Sequence, residues 1–112
     1  MNLDYLFYLR PAKPGPYTLD DLGDAPPPIG AADAVREQIG RHFARLDWCE
    51  SNDVPGAWFG TGGPHPVFQF TVEPDGQVTS FMGSRLERRQ MLTLARGMGL
   101  IALELQGDIV FA

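Results

Sequence analysis

The run Val67-Phe68-Gln69-Phe70-Thr71-Val72-Glu73-Pro74-Asp75-Gly76-Gln77-Val78-Thr79-Ser80-Phe81-Met82 decides the fold. Its centre is turn chemistry. Pro74 holds φ near the value that the second position of a type I turn needs, and Gly76 stands where the chain must take φ > 0. Glu73-Pro74-Asp75-Gly76 therefore predicts a hairpin loop closed by a G1 bulge. With Glu73 opposite Gln77, Val72 faces Val78, Phe70 faces Ser80 and Phe68 faces Met82. One sheet face then collects Phe68, Phe70, Val72, Val78 and Met82, with Ser80 its polar member. The other collects Gln69, Thr71, Glu73, Gln77 and Thr79, together with Phe81. A slip of one residue would exchange the faces, so burial is expected to fix the register.

Beyond the hairpin, Ser84-Arg85-Leu86-Glu87 reads as a capping box opening a helix. At helical spacing Met91, Leu94, Ala95 and Met98 share one face, and Arg85, Arg89, Thr93 and Arg96 share the opposite one. Gly97 and Gly99 end the helix, one of them supplying a left-handed residue. Leu100 to Leu105 alternates around Ala102 and Glu104 as a strand. Gln106-Gly107-Asp108 then turns the chain into a last short strand at Ile109 to Phe111.

On the N-terminal side, Tyr5-Leu6-Phe7-Tyr8-Leu9 is apolar on both faces. It predicts either an interior strand covered twice or a strand with an exposed aromatic flank. Thr18-Leu19-Asp20-Asp21-Leu22 has the pattern of one capped helical turn, and Pro26-Pro27-Pro28 that of a stiff connector. A first long helix is expected from about Ala31 to Leu46. Val35, Ile39, Phe43 and Leu46 form its apolar stripe, and Gly40 allows close approach to the sheet. Asp47 to Cys49 and Ala57 to Phe59 read as short strands joined by the turn residues Ser51 to Gly56. Gly60 to Pro66 reads as a loop. Together these segments predict a single α+β domain, with a mainly antiparallel sheet of about five or six strands and two helices packed on one face.

The 112-residue length is enough for a modest core without staples. Cys49 is the single cysteine, which excludes an internal disulfide framework and fits a reducing compartment. The opening residues lack the basic region of a secretory signal, and no apolar run reaches membrane-spanning length. The expected location is the cytoplasm. Net charge is −5. Nucleic-acid binding asks for a basic footprint, and here only one helix face is basic, so no nucleic-acid partner is expected.

No catalytic signature emerges. Gly60-Thr61-Gly62-Gly63 lacks the lysine of a phosphate-binding loop. His42, Cys49 and His65 do not repeat at metal-ligand spacing, and Cys49 reads as a small buried apolar group. Ser84 lacks the glycines of a nucleophile elbow, and capping already accounts for it. No catalytic residue, metal or cofactor is assigned. Trp48 and Trp58 have two readings. They are core residues, or they are partner-binding anchors on an acidic surface made by Asp47, Glu50 and Asp53, since Trp is enriched at interface hot spots. Arg85, Arg89 and Arg96 form a second candidate binding stripe.

The order of features carries a resemblance. An aromatic opening strand leads to Leu19-Asp20-Asp21-Leu22, and a helix ends in Phe43-Ala44-Arg45-Leu46-Asp47-Trp48. Pro74-Asp75-Gly76-Gln77-Val78 and a second helix follow, and then Leu94-Ala95-Arg96-Gly97-Met98-Gly99-Leu100-Ile101-Ala102-Leu103. This resembles the small α+β immunity proteins of bacterial polymorphic and contact-delivered toxin systems. It departs from them after the last long strand, where Glu104-Leu105-Gln106-Gly107-Asp108 stands in place of an Asp-Pro-Gln turn. The resemblance implies a binding protein that neutralises a cognate toxin by covering its surface, and it supplies no family functional residues. Two other functions compete with it. One is a small-molecule sensor or enzyme subunit, using a pocket between Trp48, Trp58 and the glycine loop. The other is an assembly partner that docks through a sheet edge. The sequence leaves the oligomeric state open.

Overall fold

The structure, a computed structural model, describes residues 3–11, 15–17, 27–43, 46–62, 67–107 and 109–111. The expected helical turn at Thr18 to Leu22 and the loop histidine His65 lie outside these residues. The hairpin turn forms as its residues demand. Gly76 has φ 82°, and its N–H donates to the Glu73 carbonyl at 2.8 Å. The Glu73 N–H donates to the Gln77 carbonyl at 2.8 Å, and the Asp75 carboxylate accepts from the Gln77 N–H at 3.0 Å.

Away from the turn the register differs from the expected one. Strand β5 (Val67–Thr71) pairs with β7 (Ser80–Leu86) so that Phe68 faces Gly83 and Gln69 faces Met82. One extra residue is taken up beside Thr79. The cause is β6 (Gln77–Val78), which leaves its hairpin partner to pair with β2 (Gly30–Ala31). Val78 and Phe81 thereby both reach the core, at 0% and 1% exposure, while Met82 turns to the opposite face and stays half-buried.

The main sheet is antiparallel throughout. Its order is β3 (Asp47–Glu50), β4 (Ala57–Thr61), β5, β7, β1 (Leu3–Leu9), β8 (Leu100–Glu104) and β9 (Ile109–Phe111). With the small β2–β6 pair, the described residues hold more strands than the sequence suggested. Two helices, α1 (Ala32–His42) and α2 (Arg88–Met98), complete the α+β fold. Val35 and Ile39 of α1 and Met91, Leu94 and Ala95 of α2 bury into one cluster with Tyr5, Phe7, Phe68, Phe70, Phe81, Leu100 and Ala102. Phe7 and Phe81 stack at the centre, with ring centroids 4.7 Å apart. In β1 the alternative with an exposed flank holds in part: Tyr5 and Phe7 are buried, and Leu6 and Tyr8 are half-buried. Strand β8 does not alternate, because Ile101 and Leu103 are buried on the face away from the helices.

The helix boundaries correct two sequence expectations. Ser84 is not a cap; it pairs with Val67 inside β7. The cap of α2 is Glu87, whose backbone N–H donates to the Gln90 side chain at 3.0 Å in a capping box displaced by one turn. The ladder to β1 wins over the local signal. It continues to Leu86, and Arg85 beside it takes φ 62°, with its N–H donating to the Asp4 carboxylate at 3.3 Å. The C-terminal signal works as read, since Gly99 adopts φ 69° and its N–H donates to Ala95. Helix α1 stops at His42 because Phe43 turns extended to bring its ring 5.0 Å from that of Phe68.

Gly40 plays no packing role: a Cβ there would meet nothing within 4 Å. Gly40→Ala should therefore stabilise the protein by about 0.5–1 kcal/mol through helix propensity, read as a higher denaturation midpoint at unchanged slope. An unchanged or lower midpoint would show that Gly40 serves some contact.

Tyr5 is 1% exposed, packed against Phe7 and Phe111 and paired across strands with Glu104. Burial raises its phenol above the ordinary value, the Glu104 carboxylate raises it further, and Arg88 opposes them. With the folded pKa above the unfolded one, this contribution to stability is complete below about pH 10 and is lost as pH rises through the folded value. Alkaline titration should show the wild type losing stability above about pH 10 more steeply than Tyr5→Phe. Parallel curves would contradict it.

Candidate functional site

The β3–β4 ribbon forms one edge of the sheet, and local bonds make it stiff. The Ser51 hydroxyl accepts from the N–H groups of Asp53 and Val54, both at 3.1 Å. The Glu50 carboxylate accepts from the Gly56 N–H at 3.2 Å, and the Ala57 N–H donates to the Val54 carbonyl at 3.2 Å. Gly56 is required here: its φ is 82°, and an added Cβ would lie 3.3 Å from the Val72 carbonyl oxygen.

The ladder fixes which backbone groups face outward. Ser51 donates to Ala57 at 2.7 Å, and the register continues through Cys49 opposite Phe59 and Asp47 opposite Thr61. Backbone groups alternate along an antiparallel strand, so Asp47, Cys49 and Ser51 bond inward to β4. The N–H and C=O groups of Trp48 and Glu50 point to the free edge. Among the described residues β3 has a neighbouring strand on one side only.

Trp48 and Glu50 share the helix-side face of the sheet, while Asp47 and Cys49 share the other. The Trp48 ring lies across Gly60, where a Cβ would stand 2.8 Å from it, and 5.7 Å from the ring of Phe70. The guanidinium of Arg36, from α1, sits 4.3 Å over the Trp58 ring. Both indoles are partly buried and packed against the core cluster, so each is part core and part surface. Asp47, Glu50 and Asp53 are exposed. Cys49, expected to be buried, is exposed, because its alternation carries it away from the core face.

The arginine stripe does not hold together. Arg89 and Arg96 lie exposed on α2, but Arg85 belongs to the irregular end of β7. Arg88, also on α2, sits 4.9 Å over the Phe111 ring. His42 packs its ring against Gly97 on the neighbouring helix. Among the described residues no group of three or more His, Cys, Asp or Glu gathers at metal-binding distance. No described helix is long and apolar enough to cross a membrane.

On the helix-free face, Phe59, Gln69, Met82 and Leu6 line up across four strands and help to line an open depression of about 260 Å³. That is below the usual range of pockets that bury a drug-sized ligand. It also lies on the face opposite to the two indoles, where the sequence had placed a small-molecule pocket.

The strand order gives meaning to a charge pattern that the sequence already held. Between Leu46 and Ser84 stand Asp47, Glu50, Asp53, Glu73 and Asp75, with no Lys or Arg. Asp47, Glu50 and Asp53 stand on β3 and the turn after it, at one side of the sheet, while Glu73 and Asp75 stand in the turn before β6; β4, β5, β6 and most of β7 also fall within the run. The cations of the described elements come from other segments: Arg41 on α1, Arg10 past β1, Arg85, Arg88, Arg89 and Arg96 at the end of β7 and on α2, and Arg36 on α1, which alone of these is shown reaching the ribbon, over Trp58. A scan for runs without cations would have found the ribbon from the sequence. Comparison of the chain with protein-family models, with curated proteins and with solved structures finds no match.

Proposed function

We propose that the chain is a small cytoplasmic protein-binding inhibitor of the immunity type, which neutralises a cognate protein toxin by covering a basic part of its surface. The observation that carries this reading is the acidic edge ribbon: Asp47, Glu50 and Asp53 are exposed on β3 and the turn after it, whose own residues include no Lys or Arg, and Arg36, the described cation that reaches the ribbon, is engaged over Trp58 on the helix side. Such an edge steers a basic partner, and salt screens the attraction over about 8–10 Å. The partly exposed indoles of Trp48 and Trp58 supply the apolar anchors that hold a complex once formed. The hydrogen-bonded turn holds the ribbon in shape beforehand, which lowers the ordering cost of association.

An inhibitor of this type should be encoded beside a large toxin gene, and the test is co-expression with the product of such a neighbouring reading frame, followed by association kinetics; the lack of any such neighbour would count against the reading. A stable complex and rescue of growth are expected. Replacing Asp47 and Glu50 by their amides should slow association and flatten its salt dependence, while Trp58→Ala should speed dissociation. A partner that neither binds nor harms growth, or binding indifferent to salt and to both carboxylates, would overturn the reading.

A further inference from the structure

The outward backbone groups of Trp48 and Glu50, which meet no strand among the described residues, and the acidic ribbon around them define more than a charged surface. We propose that β3 accepts an additional β-strand from a basic polypeptide, extending the sheet at this edge. The inference deepens the reading above and rests on it for the identity of the natural partner; the mode of attachment is argued from the edge alone.

An exposed edge strand is a template for another chain, and proteins commonly block such edges with charge. Here the charge that β3 itself carries is of one sign, and Arg36, the described cation that reaches the ribbon, lies inward over Trp58 on the next strand. A second copy of β3 would bring a second Asp47 and a second Glu50 into the same short ribbon with no cation contributed by either β3, and this disfavours self-pairing. A basic strand meets no such penalty. The edge also selects a pattern. In an antiparallel arrangement the incoming residues opposite Trp48 and Glu50 exchange main-chain hydrogen bonds with them, and their side chains lie on the same face as the indole and the carboxylate. The residues opposite Cys49 and Asp47 lie on the other face. Read from its N-terminus, the incoming strand therefore carries a basic residue opposite Glu50, any residue opposite Cys49, an apolar residue opposite Trp48 and a basic residue opposite Asp47. Main-chain bonding of this kind supplies affinity, and the alternating side chains supply specificity.

The test uses a synthetic decapeptide centred on Arg-Thr-Val-Arg and the intact protein. Binding should slow amide exchange at Trp48 and Glu50 selectively, since only these β3 amides face the new strand. A peptide methylated at the pairing backbone nitrogens should lose at least about tenfold in affinity, and so should one with Glu in place of both Arg. In the protein, Glu50→Pro removes one outward N–H without touching the ladder to β4. It should weaken binding well beyond the charge-only control Glu50→Gln. Should Glu50→Pro fail to fold, the methylated peptide makes the same distinction. Binding that survives backbone methylation, protection elsewhere than at Trp48 and Glu50, or no binding of any basic peptide would overturn the strand-addition model; the last outcome would mark the acidic edge as protection against self-association alone. If the neighbouring gene product binds but ignores Glu50→Pro, the inhibitor reading stands and strand addition fails. If it does not bind while the peptide adds to β3, strand addition stands and the inhibitor reading fails.

Discussion

Phe81→Ala should lower the unfolding free energy by about 3–5 kcal/mol, and Met82→Ala by less than half as much. The two residues are neighbours, and their order of importance reports the register of the central hairpin. Phe81 is 1% exposed, stacks on Phe7 at 4.7 Å and lies 6.2 Å from the Phe68 ring. Its removal leaves a cavity beneath both helices that fully buried neighbours cannot fill. Met82 is half-buried on the helix-free face, where its sulfur accepts from the Gln69 amide at 3.8 Å and one side is open. Truncation there removes contacts without enclosing a void. Chemical denaturation with a common slope measures both. Equal losses, or a larger loss at Met82, would place the strand in the alternative register.

That register was the main feature the sequence concealed, and the reason is physical. Val78 and Phe81 are three apart, so in an unbroken strand they would point to opposite faces. Both are buried because Gln77 and Val78 pair with β2, where the Ile29 N–H donates to the Val78 carbonyl at 2.7 Å. That pairing joins residues far apart in the chain, and no local pattern announces it. Local signals fared better where nothing distant competed. Gly76 and Gly99 take the left-handed conformations that their turn and helix end require, and Val35 and Ile39 bury as their spacing predicts. Ser84 shows the opposite case: a good capping sequence is overruled by strand pairing that continues to Leu86. The candidate site divides in the same way. Its carboxylates and indoles were legible as residue types, and so was the absence of cations from Leu46 to Ser84. That Trp48 and the carboxylates of β3 stand on the outermost strand of the described sheet, beside Trp58 of β4 and with the backbone of Trp48 and Glu50 turned outward, followed only from the strand order.

The second large effect expected is at Gly83. Gly83→Ala should destabilise the protein by about 1–3 kcal/mol, and Gly83→Val by more, because both overpack the core. An added Cβ would stand 2.7 Å from Leu86 Cδ1 and 3.0 Å from Phe68 Cε1, and both of those side chains are 0% exposed. Gly83 sits in β7 between Phe68 and Tyr5 of the adjacent strands, so the bare backbone is what lets these rings close over the sheet. Conformation is not the reason, since its φ is not among the positive ones. Gly97 and Gly60 serve as controls of graded severity. At Gly97 the obstructing group is the exposed His42 ring, 2.8 Å from the added Cβ and able to swing into solvent, so Gly97→Ala should cost little. At Gly60 the obstruction is the partly buried Trp48 ring, so Gly60→Ala should fall between the two and also disturb the proposed anchor. Denaturation midpoints should thus drop in the order Gly83, Gly60, Gly97. A Gly83→Ala variant as stable as the wild type would mean that Leu86 and Phe68 have room to move, and the tight closure of β7 against the core would then be wrong.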